Sequence, residues 1–416
     1  MTIASGINMQ LAYKAETTPG TAAGQASGQL LRRVESSLDL SKDILESKEL
    51  RLDFQDADYR HGPRKVSGTV KGELSPATYK DWLQALLKRD FATVTALTSV
   101  GLTIGAASAG VYPLTRAAGS WLSDNVKTGM VVRLSVGGLN AANINNNLLI
   151  VDITSATVAQ VMPLNGVALV AEGPISGCTV TMTGKVTYAP TTGHTDKSFS
   201  IEQWYPDLTT AASELYLGCK VTKASLGLNP SNLAEIAFDI MGLDVADTTA
   251  KRTAIALNTQ YFTSATALST GTVLSPATGL IRIAGATQAV VTGLSIDLTA
   301  DYGADAVVGT PYLPQLFPGR VRAAGTITAY FENTTLRDAF WQETEAEVIV
   351  ALATSPAATA DFISICMPRV KFGGASRNDN DSGKVITLPF KALLNTAGGA
   401  GIKTEKTTVQ LQDSLA

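Results

Sequence analysis

Short runs of alternating hydrophobic and polar residues dominate this chain. In these runs aliphatic or aromatic side chains tend to occupy every second position, and Gly, Pro, Asn or Asp marks the ends. Clear examples are residues 66–74, 131–136, 199–204 and 234–240. A period of two buries one face of a strand and leaves the other face in solvent. The pattern therefore predicts a mainly β protein.

One segment has the period of a helix instead. Residues 75–87 carry apolar side chains at 79, 82, 83, 86 and 87, which form a single stripe on a helix. Ser75 is suited to cap the N-terminus, and Pro76 is suited to the first helical position. We therefore expect a helix over 75–87 whose apolar stripe covers a sheet.

The order of elements repeats within the chain. Residues 37–41 recur in pattern at 295–299, residues 66–70 at 323–327, and residues 79–81 at 336–338. The strand-like segments 198–204, 215–228 and 233–241 resemble, more loosely, 347–351, 362–372 and 385–392. Self-similarity of this kind predicts two tandem domains. Each is expected to be a β-sandwich or barrel with one short helix, the second helix being weaker because Glu343 and Glu345 interrupt its stripe.

The first copy is interrupted by a segment that the second copy lacks. Residues 91–190 are rich in Gly, Ala, Ser, Thr and Asn and contain several strand-like runs, which predicts an inserted small β-barrel or sandwich. A Thr-, Ala- and Ser-rich stretch joins the halves. The expected organisation is a discontinuous first domain (1–90 and 191–250), the insert (91–190), a linker (251–278) and a second domain (279–416).

The first two strands of each copy keep polar and apolar residues on opposite faces. Leu38 and Leu40, with Val34 before them, share one face, as do Ile296 and Leu298 in the second copy. One hypothesis is a sandwich with one solvated face; the other is that the polar faces of several subunits close around an aqueous bore. The residues assigned to the polar face are Ser37, Asp39, Ser41, Ser67, Thr69, Ser295, Asp297, Thr299, Thr326 and Thr328.

Two loops, 47–63 and 301–319, are long for hairpins, and the first is densely charged. They are either mobile surface loops or loops ordered by a neighbouring subunit, and their presence in both copies favours the second hypothesis. The charged residues at these loops that are candidates for contacts between subunits are Glu46, Asp56, Arg60, Arg64, Asp301 and Asp305.

Composition narrows the possible functions. With 33 basic and 36 acidic residues the net charge is −3, so the basic surface of a nucleic-acid binder is absent, and any contact with DNA should be non-adhesive. Three separated cysteines fit neither a disulfide framework nor a zinc site and are interpreted as core thiols. No membrane-spanning run or secretory signal is expected.

No catalytic constellation is predicted. His61 and His194 lie in polar turns without a nucleophile signature, and no phosphate-binding glycine motif is present. Residues 378–383 are interpreted as a hairpin turn rather than a calcium loop, because no bidentate Glu follows at the required spacing. The sequence therefore favours a protein without enzymatic activity, cofactor or metal.

The order of these elements resembles the tail tube proteins of long, non-contractile-tailed bacteriophages. The resemblance is carried by residues 15–21, strand 37–41, the charged loop, strand 66–70 and helix 79–87, and it extends over all but the insert and the linker. The duplicated domain is similar to the subgroup in which one chain carries two tube domains. No single motif is diagnostic.

The resemblance implies a structural virion protein that forms stacked rings, each with six tube domains around a bore for the genome. Two domains per chain then imply a trimer, with the polar face lining the bore, the loops contacting the next ring and the insert outside. The implied partners are further copies of the chain, tape-measure protein and genomic DNA in the lumen, and tail-tip and terminator proteins. Assembly is expected in the host cytoplasm, without membrane insertion.

An alternative function is a tail-tip receptor-binding or carbohydrate-recognising β protein. Such proteins present clusters of exposed Trp and Tyr, whereas only 6% of the residues of this chain are aromatic.

Overall fold

A computed structural model describes residues 3–288, 290–332, 334–378 and 383–416. The first half contains β1 (Gln10–Ala15), β2 (Gln29–Leu30), β3 (Glu35–Ser36), β4 (Asp39–Glu46), β5 (Tyr59–Glu73) and helix α1 (Lys80–Leu87). It resumes after the insert with β12 (Lys185–Tyr188), β13 (Phe199–Tyr205), β14 (Ala212–Leu228), β15 (Glu235–Gly242) and β16 (Asp244–Val245). The insert contains β6 (Leu97–Ile104), β7 (Tyr112–Arg116), β8 (Val131–Ser135), β9 (Leu148–Ile153), β10 (Val158–Pro163) and β11 (Glu172–Met182).

The second half begins after short 3-10 turns at Ala250–Arg252 and Pro276–Thr278. Its elements are β17 (Gly279–Ile283), β18 (Ala286–Thr287), β19 (Val291–Gly303), β20 (Phe317–Tyr330), α2 (Thr335–Trp341), β21 (Ala346–Ala353), β22 (Phe362–Phe372), β23 (Ser376–Arg377), β24 (Val385–Ala392) and β25 (Gln410–Asp413). The prediction of a mainly β fold with short helices is confirmed.

One antiparallel sheet runs through both halves. Its strand order is β4, β5, β15, β14, β19, β20, β24 and β22. The same order of four strands occurs in each half, since β4, β5, β15 and β14 correspond to β19, β20, β24 and β22. The halves meet where β14 pairs with β19, from Lys223 opposite Thr299 to Leu228 opposite Leu294. We call this sheet the central sheet and this contact the internal junction.

Helix α1 closes the first half over an aromatic core. Trp82 is completely buried, with its ring 5.5 Å from that of Tyr13 in β1 and 5.1 Å from that of Phe238 in β15. The apolar stripe predicted for the helix is therefore confirmed. By contrast, none of the residues of α2 is buried; Glu343 and Glu345, expected to interrupt its stripe, lie beyond the end of the helix at Trp341.

The predicted start of α1 is wrong. The helix begins at Lys80, and Ser75 does not cap it; the Ser75 hydroxyl lies 2.6 Å from that of Thr78. Ala77 has a positive φ of 64°, which a helix does not accommodate, and its N–H donates to Asp413 at 2.8 Å. The residue before the helix, Tyr79, makes no side-chain capping bond, and Asp413 from the far end of the chain holds the turn that leads into α1.

The insert forms a closed six-stranded barrel in the order β10, β7, β6, β11, β8 and β9, as predicted. Strand β12, which the sequence assigned to the insert, lies outside this barrel and pairs with β25. The barrel packs on the second half through an apolar contact that includes Val131, Leu149, Ile349 and Phe362. We call this contact the barrel wall.

The expected linker is fastened to the first half. Arg252 is fully buried and donates to the carbonyl and hydroxyl of Ser213 at 2.9 and 2.8 Å. Further along, the backbone N–H groups of Tyr261 and Phe262 donate to the carboxylate of Glu202 at 2.5 and 2.9 Å. This segment is therefore packed onto the sheet rather than being a free tether. The domain boundaries themselves stay predictions.

The three cysteines are buried and free, as predicted. His61 lies in β5 rather than in a loop, while His194 lies in the irregular segment between β12 and β13, and both are exposed. Most of the segment at 378–383, interpreted as a hairpin turn, lies outside the described residues. Within the described part of the chain, no helix is long and apolar enough to cross a membrane.

Candidate channel face and subunit contacts

The ten residues predicted to be polar-facing are all exposed or half-exposed, whereas neighbours such as Leu38, Val66 and Ile296 are buried. Val34 is the exception on the apolar side: it lies before β3 and is 66% exposed. The backbone register extends the polar face across both halves. Thr69 lies opposite Asp239, and Asp297 opposite both Ser225 and Ala324.

Strands β14, β15 and β24 contribute polar residues that sequence reasoning missed. Ser225 donates to Asp297 at 2.7 Å across the internal junction, and Thr69 donates to Asp239 at the same distance. The alternation in β14 and β15 is visible in the sequence. The register that places these strands beside β5 and β19 is long-range, however, so the sequence alone could not assign them to this face. The additional polar-face residues are Lys223, Ser225, Glu235, Asp239, Thr387 and Lys391.

Several cations on this face have a carboxylate partner. The hydrogen bond that Lys71 donates to Glu35 raises the pKa of this lysine, which stays charged and paired. These exposed pairs add little stability, but they reduce the positive field that the face presents. Arg320 and Lys391 are exposed without an ion-pair partner among the described residues. The paired cations, with their N···O distances, are Lys65 with Asp43 (2.7 Å), Lys71 with Glu35 (2.7 Å), Lys223 with Asp297 (3.2 Å) and Arg322 with Asp301 (2.9 Å).

Both long hairpins leave the central sheet at the same end, but their loops are shorter than predicted. Strands β4 and β5 leave a loop of residues 47–58, and β19 and β20 leave residues 304–316. The first loop carries three apolar side chains that are almost completely exposed: Leu50 (99%), Leu52 (100%) and Phe54 (98%). We call residues 47–58 the arm tip. The charge of this loop did not indicate the apolar side chains, although their alternation at 50, 52 and 54 is visible in the sequence.

The second loop folds back onto the same chain. Pro311 accepts a hydrogen bond from the Arg64 N–H at 2.8 Å, and Leu313 and Leu316 pack with Leu243 at the base of the first hairpin. The second loop therefore leaves one apolar side chain fully exposed, Val308, whereas the first loop projects three.

The predicted contact residues differ in their surroundings. Glu46, Asp56, Arg60 and Asp305 are exposed, and Arg60 lies 3.2 Å from Asp58. Asp301 is paired with Arg322, as described above. The Arg64 side chain, by contrast, is only 14% exposed and is paired with Asp244 at 3.1 Å and Asp247 at 2.5 Å. Arg64 is therefore paired within the chain rather than free to contact a neighbouring subunit.

The opposite end of the central sheet has an apolar groove of about 960 Å³. Its lining includes Glu73, the last residue of β5, so the groove and the arm tip lie beyond opposite ends of one strand. At about 3.3 Å per residue, β5 spans roughly 45 Å. Ile7, Val34 and Leu268 line the groove with exposed apolar side chains, and Arg32 and Arg33 add positive charge.

Within the residues that the structure describes, no cluster of three or more His, Cys, Asp or Glu side chains is placed to hold a metal ion. A family model described as phage tail tube protein matches residues 6–392. The chain belongs to the phage tail tube protein family. No curated protein matches this tail tube protein significantly. The match spans the barrel and the central sheet of both halves and ends before β25.

Proposed function

We propose that three copies of this tail tube protein form a ring, and that stacked rings form the tube through which a phage genome passes to the host. The observation that carries this proposal is the polar face of the central sheet, which continues over eight strands with the same strand order in both halves. A chain that already joins two equivalent domains edge to edge needs only two more copies to supply six.

A closed ring resolves the free edges of the sheet. Open edges expose unpaired backbone groups, and closure removes them. Eight central strands per chain give about 24 in a trimer, a number at which β-barrels enclose an aqueous channel. The buried face, with Val66, Phe238 and Ile296, would be covered on the outside by α1 and the remaining strands.

The chemistry of the polar face suits a bore that DNA must leave freely. DNA carries one negative charge per about 1.7 Å of axis, and a lining of free cations would hold it through counterion release. Hydroxyl groups such as those of Thr69 and Ser225, together with cations already paired to carboxylates, avoid that adhesion. We propose that this lining belongs to the tube of a long, non-contractile tail, the tail type that the resemblance of the sequence implies.

The arm tip and the groove provide the means of stacking. They lie at opposite ends of the sheet, so a tip from one ring can enter a groove of the next in the same orientation. Such head-to-tail contacts do not close on themselves and produce open filaments. The apolar side chains of the arm tip match the exposed Ile7, Val34 and Leu268 of the groove, whose charged lining residues, Arg32, Arg33, Glu35 and Glu73, balance one another.

Tube formation by variants of the arm tip tests this function. We expect Leu50→Ser, Leu52→Ser and Phe54→Ser, combined, to leave trimeric rings in solution but to abolish tubes in electron micrographs. The matched control is Val308→Ser, which removes an equally exposed apolar side chain from the second loop. Tubes of normal length from the triple variant would contradict the stacking contact. Wild-type protein that forms neither rings nor tubes would contradict the function.

A further inference from the structure

The central sheet ends in two edges that have no strand partner among the described residues. On one side β4 pairs with β5 alone, and on the other side the short strand β23, which continues β22, pairs with β24 alone. Between these edges lies the internal junction, where the first half presents β14 and the second half presents β19. The internal junction thus pairs one edge of the first half with one edge of the second half. The counterparts of these two edges, β23 and β4, lie unpaired at the two sides of the central sheet.

The register identifies which residues at the edges are equivalent to those of the internal junction. In the first half Ser225 lies opposite Ala237 of β15; in the second half Ser376 lies opposite Thr387 of β24. Strand β23 is thus the counterpart of the last part of β14. On the other side of the junction, Asp297 of β19 lies opposite Ala324 of β20, and in the first half Asp39 of β4 lies opposite Ser67 of β5. Strand β4 is thus the counterpart of β19.

We infer that β23 of one copy pairs with β4 of the next copy in the register of the internal junction, which places Ser376 opposite Asp39. The inference rests on the proposed ring and specifies its interface. Ser225 donates to Asp297 at 2.7 Å within the chain, and the same two residue types recur at the edges. Ser376 of one copy donates to Asp39 of the next. Gly374 and Arg377 then lie opposite Ser41 and Leu38.

The edge of β4 carries side-chain partners of the kind that restrain unwanted strand pairing. The Asp39 carboxylate accepts from the Leu40 N–H at 2.7 Å, and Gln203 donates its side-chain N–H to the Leu38 carbonyl at 2.8 Å. These contacts satisfy backbone groups that would otherwise be open. When β23 arrives, a carbonyl of that strand replaces Asp39 at the Leu40 N–H. The carboxylate is then free to accept from Ser376.

Cysteine cross-linking tests the register. The Ser37 N–H donates to Thr69 of β5 at 2.9 Å, so Asp39, two residues on, also turns its backbone toward β5. Its pair across the outer edge is therefore of the non-hydrogen-bonded type, with Cα atoms about 4.5 Å apart. That separation lies within the range for a disulfide. Chains with Asp39→Cys and chains with Ser376→Cys are mixed, assembled and treated with diamide.

We expect covalent dimers from the mixture and no more than the wild-type level from either variant alone. A chain carrying both cysteines should give a ladder that stops at the trimer. The matched control is Ser225→Cys with Asp297→Cys, which should close within one chain and give no ladder. The native thiols at Cys178, Cys219 and Cys366 are buried and should not contribute.

The outcomes distinguish a wrong register from a wrong proposal of the ring. Rings without cross-links, with the internal control closed, overturn the register and leave the proposed function standing. Dimers from Asp39→Cys alone would show that two copies pair β4 to β4, which also overturns it. If the cysteines prevent ring formation, Ser376→Ala and Asp39→Ala form a double-mutant cycle on the dissociation constant of the ring. Additive effects would then overturn the contact, whereas coupling supports it.

Discussion

The carboxyl of Glu347, a half-buried residue beside the barrel wall, makes the stability of the protein depend on pH. Burial raises the pKa of Glu347 in β21 to about 7 from its ordinary value of 4.5, and Asp152 of the barrel acts in the same direction. The Cys366 thiol lies beside the Glu347 carboxyl and opposes the shift. We expect Glu347→Gln to stabilise the folded chain at pH 8, because the amide cannot ionise.

The magnitude follows from the difference in pKa between the folded and unfolded states. The folded state holds the proton of Glu347 more tightly than the unfolded state does. The contribution of this group to stability is therefore fully present below about pH 4.5 and is lost as the pH rises through about 7. A difference from 4.5 to about 7 corresponds to about 3 kcal/mol. Glu347→Gln should therefore gain up to about 3 kcal/mol over the wild type at pH 8, and much less at pH 5.

Urea unfolding of both proteins at pH 5 and pH 8 measures this difference. The matched control is Glu345→Gln, because Glu345 is exposed and its hydrogen bond with Arg369 lowers its pKa. That change should not stabilise the chain at pH 8. If the effect of Glu347→Gln is the same at both pH values, the carboxyl is not held in the protonated form by its surroundings.

Three further changes have definite expected outcomes. Trp82→Ala should cost about 3–5 kcal/mol in urea unfolding, because the indole is fully buried between two aromatic rings, whereas Trp341→Ala, at an exposed position, should cost far less; equal costs would contradict the packing. Ser67→Lys combined with Thr326→Lys should slow DNA ejection from particles in low salt and less so in high salt, and normal ejection in low salt would place the lining elsewhere. Deleting residues 97–182 with a short linker should preserve rings but lower the melting temperature, because the barrel wall is uncovered; an unchanged melting temperature would show that this contact contributes nothing.

The faces of the strands could be predicted from sequence because alternation is a local property. Leu38, Val66 and Ile296 are buried as their positions in the pattern require, and Ser67 and Asp297 are on the opposite face. The internal repeat was also visible, since equivalent strands must satisfy the same pattern in both halves.

Contacts between distant parts of the chain could not be predicted in this way. The turn before α1 is held by Asp413, and the pairing of Ser225 with Asp297 depends on which strands are neighbours. The same is true of Arg64, whose charge suggested an outer contact but whose partners are Asp244 and Asp247. In each case the deciding partner is far away in sequence, and local propensity carries no information about it.

A reconstruction of the assembled tube by electron cryomicroscopy tests the central claim most directly. The account predicts three chains per ring, joined edge to edge, with Thr69, Ser225 and Asp297 facing the bore. Six chains per ring, or a tube in which this polar face points outward and the buried face of the central sheet is covered from the lumen side, would contradict it.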